Sequence, residues 1–120
     1  MGIDEGGLAH YELHAGCQAY PAFVSWLALN GSRADVALAF LANLAAWGES
    51  CRRLGALLKD RCDISFFEFF TEPAPGFEEL ALTVADLGLA AGDSPPRALR
   101  SARLLQAYEL LFWDTLADAL

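Results

Sequence analysis

Glu109 is the residue whose type and position conflict most sharply. Set on a helix at 100° per residue, Ala98, Ala102, Leu105, Glu109, Phe112, Leu116 and Leu120 share one face at spacings of three and four. Arg100, Arg103, Asp114 and Asp118 fall on the opposite, solvated side. An ionised carboxylate inside an apolar stripe costs several kcal/mol unless it is paired or hydrogen-bonded. Two readings stay open. Glu109 meets a cation or donor from a neighbouring helix, or it faces a ligand as a binding or general acid–base group. A second stripe reads Phe40, Leu44, Trp47, Cys51, Leu54 and Leu58, with Asp35, Glu49, Arg53 and Asp60 opposite. Asn43 lies at its edge, beside Phe40 and Trp47, and a buried amide needs either a neighbouring helix or a polar cavity. Trp47 reads as core or as a stacking platform, and Cys51 as core. Tyr20 ends a segment beside Pro21. The run Phe66-Phe67-Glu68-Phe69-Phe70 reads as core that can also wall a flat ligand. His10 and His14 stand one turn apart, but no third ligand accompanies them, so no metal site is expected. No phosphate loop, GxSxG turn or complete triad is present.

These side chains need helices to hold them. Ala numbers 22 and Leu 21, while Val, Ile and Thr together number 8, a composition that favours helix over strand. Residues 1–7 read as frayed. Helical segments follow over 8–19, 21–29, 33–59, 64–71, 77–90 and 95 to the end. Pro21 suits a first turn, Asn30-Gly31 a stop, Ser32 with Asp35 an N-cap, and Asp93 or Ser94 the cap of the last helix. The expectation is one all-α domain over 1–120, a bundle of about five helices whose two long members pack through the Trp47 and Glu109 faces.

Charge excludes some functions. With 16 acidic against 8 basic residues the net charge is −8, which disfavours nucleic acid and anionic membranes as partners. The longest uncharged helical run, 36–48, is too short to span a bilayer. The chain starts without a basic, apolar leader, and its three cysteines fit no metal or disulfide spacing, so reduced thiols in the cytoplasm are expected. Counting Gly and leaving Tyr aside, the apolar share is about 61%, against about 45–50% in ordinary domains. A chain of 120 residues buries only about two-thirds of its unfolded surface. The surplus predicts a homo-oligomer, or a part of a larger bundle.

Ala107-Tyr108-Glu109-Leu110-Leu111-Phe112-Trp113 resembles the C-terminal helix signature of the thiaminase II (TenA) family, Tyr-Glu-x-x-Phe-Trp. The stretch from Tyr20 through Leu29-Asn30-Gly31-Ser32 to Leu54 resembles the family's middle helices, and Phe66–Phe70 with Phe77-Glu78-Glu79 its later aromatic segment. The chain corresponds to about the C-terminal half of a usual member. The resemblance implies a heme-oxygenase-like helical fold with an internal pocket. It also implies hydrolysis of thiamin or aminopyrimidine fragments, by a Cys nucleophile, an acidic residue and aromatic walls. By position it makes Glu109 the catalytic glutamate and Tyr108 its neighbour, and gives Tyr20 to the pocket. It places Asn43 where the nucleophile belongs and Trp47 where a pocket tyrosine belongs. An amide cannot act as that nucleophile.

Three functions follow as expectations. The first is a divergent thiaminase II-like protein, a hydrolase by descent, needing no cofactor. It binds a thiamin-related or aminopyrimidine-like small molecule around Glu109, Tyr20, Asn43, Trp47 and Tyr108, with catalysis compromised by Asn43. The second is a non-catalytic helical oligomerisation or interaction module. The third, an oxygen- or metal-handling enzyme of the same fold, lacks ligands beyond His10, His14 and scattered acids.

Overall fold

The computed structural model of the chain describes residues 4–119. Leu120, placed on the stripe of the last helix, and residues 1–3 of the segment expected to fray lie outside them. The fold is all-α: α1 (Glu5–Ala9), α2 (Ala15–Asn30), α3 (Arg33–Leu58), α4 (Ser65–Phe69), α5 (Phe77–Ala90) and α6 (Pro95–Ala119). No helix is long and apolar enough to cross a membrane among the described residues.

Local chemistry sets most boundaries. At the start of α3, Ser32 Oγ accepts from Asp35 N–H and the Asp35 carboxylate accepts from Ser32 N–H, a reciprocal capping box. Gly76 and Gly92 take φ of 76° and 101°, a region that side chains disfavour, and they turn the chain into α5 and out of it. The second turn brings Asp93 back, so that its carboxylate accepts from Ala34 N–H at 3.0 Å. Asp93 therefore caps α3, and Ser94 Oγ accepts from Arg97 N–H of α6 at 3.4 Å.

Three expectations need correction. Pro21 does not start a helix; α2 runs through it. Proline removes only one N–H bond, the one to the Cys17 carbonyl, and Pro21 is exposed, so its ring displaces no core packing. Within the segment expected to fray, Asp4 Oδ1 accepts from Gly7 N–H at 2.7 Å and opens the short α1. The single helix expected over 8–19 is split, α1 ending at Ala9 and α2 starting at Ala15, and the six helices among the described residues fit the all-α bundle expected.

α3 is the central element. It packs on α6 along one side and on α5 along another, α4 crosses its C-terminal half, and α2 lies on α6. Because α3 is covered from several sides, its buried positions include Ala34, Ala37, Ala39, Gly48, Cys51 and Gly55. Of the expected stripe only Cys51 is fully buried; the larger members are half-buried. Asp35, expected in solvent, is fully buried with the cap. Gly48 lies against the Phe70 carbonyl, where a Cβ would come within 2.7 Å of the oxygen. Leu27, Ala39 and Leu105 form the innermost core, flanked by Tyr20, Phe23, Val24 and Val36.

Much apolar surface remains outside. Phe66 and Phe69 of the aromatic run are exposed, as are Leu29, Leu57, Leu80 and Leu87. The accessible area is 8510 Å², where a compact monomer of 13.0 kDa has about 6,300 Å². The radius of gyration is 16.4 Å, against about 13.6 Å for a compact chain of this length.

Candidate functional site

Glu109 sits mid-way along α6, facing α3, and is 4% exposed. Asn43 of α3 meets it, fully buried, and donates from Nδ2 to Glu109 Oε2 at 2.5 Å. The same nitrogen donates to Gln106 Oε1 at 2.9 Å. Asn43 Oδ1 accepts from the Tyr20 hydroxyl of α2 at 2.5 Å. The other carboxylate oxygen, Glu109 Oε1, accepts from Trp113 Nε1 at 3.0 Å. This chain of bonds fixes the amide orientation and satisfies every polar atom of Asn43. Three helices are stitched together by it. Gln106 escaped the sequence reading, and Trp113 entered it only as the end of the helix signature, with no role at the site; both sit one turn from Glu109 on the same helix, the spacing at which helical side chains meet.

Aromatic rings surround the network. Tyr20 stacks on Trp47 with centroids 5.5 Å apart and planes within 4°. Phe112 and Trp113 lie 5.6 and 4.9 Å from Trp47, and Phe70 meets it edge-on at 5.9 Å. The Trp47 indole N–H is buried with no partner among the described residues. Tyr108 stands apart. One helical step from Glu109, it turns toward α2, and its ring packs on Phe23 at 5.1 Å. His10 and His14 share no helix, since α1 ends at Ala9; His10 Nδ1 lies 2.7 Å from the Gly6 carbonyl and His14 is the N-cap of α2. Among the described residues no group of three or more His, Cys, Asp or Glu is placed to hold a metal.

The electrostatics follow from burial. Among the described residues no cation pairs with Glu109. Desolvation raises its carboxyl above the ordinary value, opposed by the Trp113 and Asn43 hydrogen bonds. Burial pushes the Tyr20 hydroxyl up to about 12, with the Glu109 charge adding to the rise and the Asn43 bond opposing it. Burial and then the Glu109 charge also raise the Cys51 thiol. Cys51, two turns beyond Asn43, thus feels Glu109, but it is held protonated, opposite to what a nucleophile requires.

Clefts lie elsewhere: between α3 and α5, around the loop from Phe70 to Phe77, between α2 and α6 beside Tyr108, and along Arg53 and Trp113. Tyr20, Asn43, Trp47 and Glu109 line none of these. The arrangement brings four of the five anticipated residues together, closed upon one another. Comparison with known proteins finds no match to this chain among family models, curated proteins or solved structures.

Proposed function

We propose that the chain is a non-catalytic helical module that works in association, its partner a second copy. The observation that carries this reading is the unspent surface: 8510 Å² accessible, about a third more than a compact monomer leaves. An ordinary stable interface buries about 1,600 Å² in total. In this reading the Tyr20–Asn43–Glu109–Trp113 chain is a latch that fixes the register of α2, α3 and α6. Buried polar networks serve that purpose when all their members are satisfied. The experiment replaces the exposed Leu29, Leu57, Leu80 and Leu87 by Glu one at a time. Wild type scatters light as an oligomer, and at least one variant falls to the mass of a single chain with its helical spectrum intact. A wild-type monomer, or an assembly indifferent to all four changes, overturns the reading.

One observation favours a second reading. Among the described residues Glu109 is a buried carboxylate without a cation, and the Trp47 indole N–H is buried without a partner. An amino group next to a ring nitrogen suits such an acceptor, and its ring would take the place Tyr20 holds against Trp47. This is the divergent thiaminase II-like binder, a heme-oxygenase-like scaffold in cytoplasmic thiamin metabolism. With Asn43 at the position that the resemblance gives to the nucleophile, and with Cys51 held as a thiol, the covalent step has no agent in this reading. Calorimetric titration with an aminopyrimidine tests it. Binding heat that is lost in Glu109→Gln supports it, and no heat in wild type ends it.

A further inference from the structure

Between α2 and α6, away from the Glu109 network, lies an aromatic and polar cleft of about 360 Å³. Phe23 and Trp26, one turn apart on α2, stack with centroids 5.7 Å apart and planes within 8°. Tyr108 of α6 packs on Phe23 and completes the wall.

Ser101 lines the same cleft and is 5% exposed. A serine or threonine inside a helix can close a bond to the carbonyl four residues back. Ser25, Thr83 and Thr115 do so here. Ser101, more deeply buried than any of them, has no hydrogen-bond partner among the described residues. Its Oγ is not among the buried polar atoms left without a partner, so the hydroxyl is open at the cleft that Ser101 lines and is free to bond a ligand there.

Two arginines line the cleft, and their states differ. Arg97 is spent: Nε lies 2.9 Å from the buried Asp35 carboxylate, and a terminal nitrogen donates to the Asn30 carbonyl at 2.6 Å. Arg100, one turn further along α6, makes no ion pair among the described residues. No acidic side chain lines the cleft. In a chain of net charge −8, one free guanidinium therefore stands beside three rings and an unbonded hydroxyl.

We infer that this cleft binds a planar aromatic monoanion. The ring lies against Trp26 and Tyr108, the guanidinium of Arg100 takes the carboxylate, and the Ser101 hydroxyl donates to one of its oxygens. The volume admits two fused rings. The inference is independent of the reading above, because none of these residues belongs to the Glu109 network.

Calorimetric titrations with 2-naphthoate and with its neutral amide, 2-naphthamide, test it. Naphthoate is expected to bind about tenfold or more tightly than the amide, the difference coming from the charge-assisted pair. Arg100→Gln brings naphthoate down to the level of the amide, and Ser101→Ala weakens it several-fold. Both variants keep the wild-type melting temperature, since Arg100 is exposed and unpaired and Ser101 has no bond to lose. Equal affinities for acid and amide, an unchanged affinity in Arg100→Gln, or no heat up to about 10 mM naphthoate, a level that weak binding would reach, each overturns the inference.

Discussion

At Glu109 the chemistry fixes the sign of a pH effect. Its carboxyl is raised above the ordinary value of 4.5 by burial, so folding favours the protonated form. The stability tied to this group is complete below the unfolded value and is lost as pH rises through the higher folded value. Gln at this position stays neutral. Wild type should therefore lose stability relative to Glu109→Gln as pH rises from about 4 to about 8, measured by urea melts at both ends. A gap that is constant, or that moves in favour of wild type as pH rises, contradicts the burial account. Tyr20→Phe should cost about 1–3 kcal/mol in the same melts, because the ring stack survives while Asn43 Oδ1 loses its donor. An unchanged stability would show that this bond does not hold α2 to the network. The odd positions of Glu109 and Asn43 were legible in the sequence, because Glu109 breaks an apolar stripe and Asn43 sits at the edge of another. Which of their open alternatives holds was not legible. A hydrogen bond between α3 and α6 depends on the rotation of both helices, and a stripe fixes each only to about one residue step. Tyr108 was named only through the resemblance, as the neighbour of Glu109; one residue step turns its ring about 100° round α6, onto Phe23 and another cleft.

At the scale of elements, small residues decide how closely the helices approach. Gly48→Ala should destabilise the fold by about 1–3 kcal/mol, as overpacking does, because the new methyl meets the Phe70 backbone carbonyl. Thermal denaturation checks it, and an unaltered midpoint would mean that the loop after α4 does not press on α3. Arg97 joins three elements by binding the buried Asp35 of α3 and the last carbonyl of α2. Its removal in Arg97→Met leaves a buried carboxylate without its cation. Discounted for the half-exposed guanidinium, the cost is about 1–3 kcal/mol. Arg100→Met, with no partner to orphan, should stay within about 0.5 kcal/mol. Equal effects of the two substitutions would contradict the pairing. Helix limits read well from the sequence where caps carry them, as at Ser32 with Asp35 and over all of α5. They read poorly at Pro21, whose exposure lets α2 continue. The buried positions of α3 were missed for a different reason. A single stripe describes a helix covered on one side, whereas α3 is covered by α5 and α4 as well as α6.

At the scale of the whole molecule, composition already announced a surplus of apolar side chain, and the structure shows where it lies. Its helices leave Leu29, Phe69 and Leu57 74–84% exposed, and the fold is extended, 50 × 29 × 24 Å. The −8 charge opposes association weakly at physiological salt, where repulsion is screened beyond about 8 Å. Burying apolar surface at about 25 cal/mol per Å² outweighs it over an interface of ordinary size. Sedimentation equilibrium over a dilution series into the low micromolar range tests the central claim most directly. The expected result is a mass of about twice the 13.0 kDa chain that falls only on extreme dilution. A single species at the chain mass throughout, with native helix content and no binding of a hydrophobic dye, would contradict it.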